Sequence, residues 1–139
     1  MAPYIGAQVA AGVLAAIVSE GLTVTETSVS AIDMDTNRAL TAEFLYTFAL
    51  VYVILNVATS EATDGNGYYG GAISFVVLAG ALTVGEISGG SFNPAVSCAL
   101  LASGYIEMSD LWMHLVPQFI AGVLAVQAFR ATHPTPDHN

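Results

Sequence analysis

Apolar residues fall into four long runs separated by polar links. They cover roughly Pro3–Ser19, Ala39–Ala58, Tyr68–Gly85 and Leu111–Phe129. Each is about 17–20 residues long, the length a helix needs to cross a hydrocarbon core of about 30 Å. The second run carries an acid, Glu43, yet its Leu, Ile, Val and Phe residues favour insertion by about 4–5 kcal/mol in sum. That exceeds the cost of about 3 kcal/mol for a charge at the bilayer centre. Glu43 lies near the end of the run, where the cost is smaller. The pattern predicts four membrane-crossing helices. Pro117 inside the last run predicts a kink or a local break.

Between the third and fourth runs the pattern changes. The stretch Ile87–Gly104, ISGGSFNPAVSCALLASG, breaks for polar and turn-forming residues and then turns apolar for a short distance. Gly89 and Gly90 permit tight backbone. Asn93 suits an N-cap and Pro94 the first helical position. Ala95–Ser103 then reads as helix, with Gly104 as its stop. From Pro94 to Gly104 the rise is about 16 Å, half a hydrocarbon core. Local pattern leaves two readings open. One is an interfacial helix opened by an Asn-Pro turn. The other is a re-entrant half-helix whose start hangs in the membrane, where irregular backbone is tolerated only if buried or lining a wet cavity. In the second case the Asn93 side-chain oxygen caps the helix, and its NH2 faces outward beside a positive helix end. That arrangement suits a neutral molecule with a lone pair and repels cations.

Composition strengthens the membrane reading. Of 139 residues 55% are hydrophobic and 9% charged, with mean hydropathy +0.66; soluble domains carry about 25% charged residues. Arg38 and Arg130 stand against eleven acids, for a net charge of -9. That excludes a basic nucleic-acid surface. The two cations fall on opposite faces if all four runs cross, so charge does not set orientation. The N-terminal run lacks a cationic n-region and reads as a first membrane helix rather than a cleaved signal. Cys98 is the single cysteine, so no internal disulfide is possible. No nucleophile–base set, phosphate loop, cofactor motif or metal-spaced cluster is evident, which argues against an enzyme. Neither an internal repeat nor a linker dividing the chain into domains is evident. Residues 1–130 read as one transmembrane unit and 131–139, with His133, Pro134, Pro136 and His138, as a short polar tail, disordered in expectation.

SGGSFNPAVS, together with the runs around it, resembles the aquaporin (major intrinsic protein) family of water and glycerol channels. AEFLYTFALVYVILNVAT resembles the family's fourth helix and YYGGAISFVVLAGALTVGEISGG its fifth leading into the second pore loop. HLVPQFIAGVLAV resembles the sixth, and YIGAQVAAGVLAA the third. The resemblance implies an all-α integral membrane protein: a partial aquaporin-like bundle of four membrane-crossing helices plus one re-entrant half-helix. It implies a passive channel, or half of one, for water and small neutral solutes such as glycerol, urea or ammonia. The pore motif would be Asn93, Pro94 and Ala95, in a homo-tetramer surrounded by lipid, with no cofactor or metal. Helices one and two and the first Asn-Pro-Ala loop have no counterpart here. Three explanations stand: a fragment of a longer protein, association with a separate chain carrying the missing N-terminal half, or a non-conducting structural or interaction module.

At the selectivity constriction most members place Arg two residues after the motif Pro; this chain has Val96, as some plant vacuolar-membrane members do. The helix-five position, often His in water-selective members, aligns on Ala81, and the loop position on Gly90. Losing the guanidinium and its donors implies a permissive filter. By the same resemblance Glu43 is a buried acceptor for pore-loop N–H groups, the other reading being a proton-coupled carrier. Gln8 supports a neighbouring loop or packs between helices. Glu86 reads as a surface or loop-positioning residue, and His114 as a helix-interface histidine. Small-residue pairs at Gly6/Ala10, Gly12/Ala16 and Ala121/Ala125 suit close helix contact. Tyr68, Tyr69, Tyr105 and Trp112 near run ends suit interfacial anchoring.

Overall fold

A computed structural model describes residues 2–22 and 29–133. The expected tail therefore lies largely outside the described residues, His138 included. Five α-helices follow one another: α1 (Ala2–Leu22), α2 (Thr36–Ala58), α3 (Tyr69–Ser88), α4 (Pro94–Ala102) and α5 (Leu111–Thr132). A single 3-10 turn, Glu61–Thr63, bridges α2 and α3. The four longer helices are each long and apolar enough to cross a membrane. All described regular structure is helical.

At the start of α2 and the end of α3 the helix overruns its apolar run because a capping residue sets the boundary. α2 starts at Thr36, where Asp35 accepts the N–H of Arg38 at 2.9 Å; a carboxylate there satisfies an otherwise orphaned donor. α3 continues to Ser88 and is closed by Gly89 in the left-handed region (φ 79°), whose N–H reaches the Gly85 carbonyl at 2.8 Å. α5 runs through Pro117 to Thr132 as one helix, so of the expected kink or break the break does not occur. Proline withholds one amide from the ladder, and the flanking turns carry the helix through. His133 lies just beyond α5, against Phe129 and Thr132.

α2 is the central element, packed along both α5 and α3, while α1 packs on α4, which also touches α5. Ala39 and Ala42 of α2 and Ala121 and Ala125 of α5 are buried; their small side chains let helices approach closely. α1 presents Tyr4, Ile5, Leu14, Ile17 and Val18 outward, and α3 presents Phe75, Leu78 and Leu82. Gly12 and Ala16 lie on the packed side of α1, whereas Gly6 has no neighbour and Ala10 is exposed. Gly12 is needed for contact: a Cβ there would meet the Ala95 carbonyl oxygen at 2.6 Å and the Ala99 methyl at 3.5 Å. Tyr68, Tyr69, Tyr105 and Trp112 are exposed near helix ends.

Candidate pore site

α4 is short. Its nine residues rise about 13 Å, far less than a bilayer core. Asn93 caps its start in extended backbone (φ -153°, ψ 129°), and its side-chain oxygen accepts the Ala95 N–H at 2.8 Å. Pro94 follows at the first helical position, where the missing N–H costs nothing. The other end closes with the N–H of Gly104 on the Leu101 carbonyl and that of Tyr105 on the Leu100 carbonyl, Gly104 at φ 75°. That pair of reversed bonds is the Schellman stop. With its oxygen used, the Asn93 amide nitrogen has no hydrogen-bond partner among the described residues.

The loop from Ser88 to Asn93 is held by one carboxylate. Glu43 is fully buried. Its Oε1 accepts from the Ser88 hydroxyl (2.7 Å) and the Ser91 N–H (3.1 Å). Its Oε2 accepts from the Ser91 hydroxyl (3.1 Å), the Phe92 N–H (2.9 Å) and the Gln118 amide nitrogen (2.8 Å). The Ser88 oxygen in turn accepts the Gly90 N–H. Five donors around one buried acid offset its desolvation. His114, also fully buried, fastens the same segment from α5 with Nε2 at 2.7 Å from the Ser88 carbonyl. Phe92 pays for this turn in backbone strain at φ 50°, a region that costs a bulky residue about 1–3 kcal/mol. Its ring is buried, stacked on Tyr46 at 5.1 Å and pressed against Gly80.

The residues expected at the constriction are arranged unequally. Gly90 lies against Ala81, since a Cβ on Gly90 would sit 3.4 Å from the Ala81 Cα. Val96 is on the first turn of α4 and 43% exposed. Cys98 is half-buried on the same helix. Glu86 is exposed. Gln8 is exposed on α1 and shares in none of the described hydrogen bonds around the loop.

Gln118 is the residue that sequence reasoning missed. Its amide nitrogen lies near Glu43 Oε2, Ser91 Oγ (2.9 Å) and Ser97 Oγ (3.0 Å), and so ties α5 to both the loop and α4. A signal existed. Gln8–Ala15, QVAAGVLA, and Gln118–Ala125, QFIAGVLA, share Gln, Ala, Gly, Val, Leu and Ala at the same register. That is an internal repeat, contrary to expectation, and it equates Gln118 with Gln8 and Gly122 with Gly12.

Beside Asn93 and Pro94 a cleft of about 400 Å³ opens between α2 and α5. Leu50, Val51, Ile54, Val123 and Val126 give it apolar walls, and Thr47, Asn93 and Gln118 give it polar points. Membrane-length helices around a broken, half-length helix, with amide and apolar surface at the break, define a polytopic membrane protein built around a re-entrant element.

The sequence profile of the major intrinsic protein family matches residues 1–129, and the chain belongs to that family as an integral membrane protein with a partial aquaporin-like bundle. Among its relatives, an aquaporin Z of Photorhabdus laumondii is 39% identical over 63% of this chain and 40% of that protein. A probable TIP-type aquaporin of Antirrhinum majus is 36% identical over 90% of this chain and 49% of its own length. A glycerol uptake facilitator protein-like 6 of Lactiplantibacillus plantarum is 36% identical over 68% of this chain and 43% of its own. The chain thus spans less than half the length of these relatives. No solved structure matches it at a significant level.

Proposed function

We propose that this chain forms a passive channel, or the part of one that carries its second Asn-Pro-Ala loop, for water and small neutral solutes such as glycerol, urea or ammonia. The observation that carries the reading is Asn93: its oxygen is spent on the Ala95 N–H, which turns its NH2 into an outward donor at the positive end of α4. A permeant with a lone pair is received there, while cations are repelled. Glu43 acts as the fixed anchor of the loop, its oxygens filled by the five donors, which disfavours a role as a mobile proton carrier. Gln8, equivalent to Gln118 in the repeat, supports a loop from the other half of the pore.

Ala81, Gly90 and Val96 set a wide filter without a cation, and the names of the relatives, which include both aquaporins and a glycerol facilitator, agree with passage of more than water. The working assembly is a homo-tetramer in lipid, each pore completed by a half equivalent to the family's N-terminal portion. Stopped-flow light scattering on vesicles carrying the full-length protein tests this. Water and glycerol permeabilities well above those of empty vesicles are expected. Vesicles that respond like empty ones overturn the channel reading and leave a non-conducting membrane module; exclusion of glycerol with free passage of water overturns the wide filter alone.

A further inference from the structure

The loop before α4 is fastened to two helices by two different means. Glu43 on α2 accepts the N–H groups of Ser91 (3.1 Å) and Phe92 (2.9 Å), which sets the loop backbone relative to α2. The Phe92 ring sets it relative to α3. That ring is 2% exposed and stacks on Tyr46, with centroids 5.1 Å apart and planes 30° from parallel. Tyr46 is tied to α3 by the hydrogen bond between its hydroxyl and that of Thr83, and Thr83 bonds the Ala79 carbonyl at 2.7 Å. The tip of the Phe92 ring fills a notch at Gly80. A Cβ on Gly80 would overlap Cε2, lie 2.7 Å from Cζ and come 2.8 Å from Tyr46 Cδ1. The same Cζ faces Gly90, where a Cβ would lie 3.4 Å from it. One ring tip therefore touches Gly80 of α3 and Gly90 of the loop. Gly90 also lies against Ala81 and Gly85 of α3. In a close-packed interior a change in the size of that ring is passed to Gly90. Phe92 holds φ 50°, a backbone cost that Leu or Tyr would share.

We infer that Phe92 is a positioning residue for selectivity: its ring is the spacer that sets how far Gly90 stands off α3, and with it the bore that Ala81, Gly90 and Val96 share. The inference rests on the channel reading and deepens it. Gly90 has no side chain and Ala81 only a methyl, so the bore depends on where their backbones are held. A smaller group at residue 92 lets Gly90 settle back toward α3 and opens the filter. A larger group, or a filled notch at Gly80, drives Gly90 away from α3 and into the solute path. Phe92 acts through Gly90 and needs no contact with the solute.

The test is a series graded by size, read as the ratio of glycerol to water permeability in vesicles carrying the full-length protein. Phe92→Leu keeps a bulky residue at the same φ and shortens the spacer; the ratio should rise about fivefold, a barrier change of about 1 kcal/mol. Phe92→Tyr puts a hydroxyl on Cζ, and Gly80→Ala fills the notch. Each should lower the ratio about tenfold, a barrier change of about 1.4 kcal/mol. Adding Phe92→Leu to Gly80→Ala should recover most of that loss, because the shorter side chain makes room for the methyl. A residue that only holds the fold would lower the unfolding midpoint and scale both permeabilities together, leaving the ratio unmoved. If Gly80→Ala does not fold, the two Phe92 variants carry the test by their opposite signs. Ratios that move in opposite directions with ring size uphold the spacer. A wild type that conducts, with the ratio unchanged or shifted the same way in Phe92→Leu and Phe92→Tyr, overturns the spacer and leaves the channel reading intact. A wild type that behaves like empty vesicles overturns both.

Discussion

The carboxylate of Glu43 on α2 accepts the backbone N–H of Phe92 at 2.9 Å, across 49 residues of chain. That bond, with those of Ser88, Ser91 and Gln118 to the same group, makes one buried side chain the template for the loop that presents Asn93. The consequences of breaking it, and of altering what it holds, can be measured.

Glu43→Gln replaces an acceptor-only group by one whose NH2 faces donors. At least one of the Ser91 and Phe92 amides loses its partner in a dry interior. The expected cost is about 3 kcal/mol, read as a lower unfolding midpoint in mixed micelles. A variant as stable as the wild type would show that the loop holds its shape without the acid.

Gly12→Ala places a methyl 2.6 Å from a backbone oxygen of α4, which cannot move without shifting the half-helix. Overpacking of this kind costs about 1–3 kcal/mol. Because Cys98 sits on α4 and is half-buried, its labelling by a maleimide should quicken as α4 loosens. Gly122→Ala, at the equivalent place on α5 with open space around it, should leave that rate near wild type.

Asn93→Asp and Asn93→Ala separate capping from permeation. Aspartate still caps a helix, whereas alanine forfeits about 1 kcal/mol. The aspartate variant should therefore match the wild type in thermal stability. In the channel its charge should replace the outward donor, lower glycerol permeability and admit cations, seen as a dissipated potassium gradient in vesicles. Unchanged glycerol flux and cation exclusion in Asn93→Asp would separate this residue from the solute path.

Val96→Arg restores a guanidinium to the first turn of α4. Its bulk and charge should reduce glycerol permeability by at least tenfold, a barrier increment of about 1.4 kcal/mol, with a smaller effect on water. The same stopped-flow assay reads both, and equal losses for the two permeants would place the constriction elsewhere.

The four spans were legible because a membrane-length helix needs only a long apolar run, which composition alone displays. The half-helix was legible through Asn93, Pro94 and Gly104, whose backbone preferences act within a few residues. Helix ends were less so. Asp35 begins α2 ahead of its apolar run, and Gly89 ends α3 beyond it, because caps act by side-chain geometry that hydropathy does not register. Pro117 reads as a kink or a break in isolation, and α5 continues through it as one helix. The role of Gln118 escaped because it depends on convergence with Glu43 over 75 residues, which no local window holds. Reading Gln8 and Gln118 side by side would have raised the question, since their flanking residues repeat.

The dependence of Glu43 on Gln118 sets an order of events during biogenesis. Glu43 is synthesised before any of the five groups that satisfy its acid, and the last of them arrives with α5. Until then the loop has its mould in Glu43 but lacks the brace that Gln118 adds from α5. The brace on the tip is therefore complete only once α5 lies beside α2 and brings Gln118 and His114 to the loop.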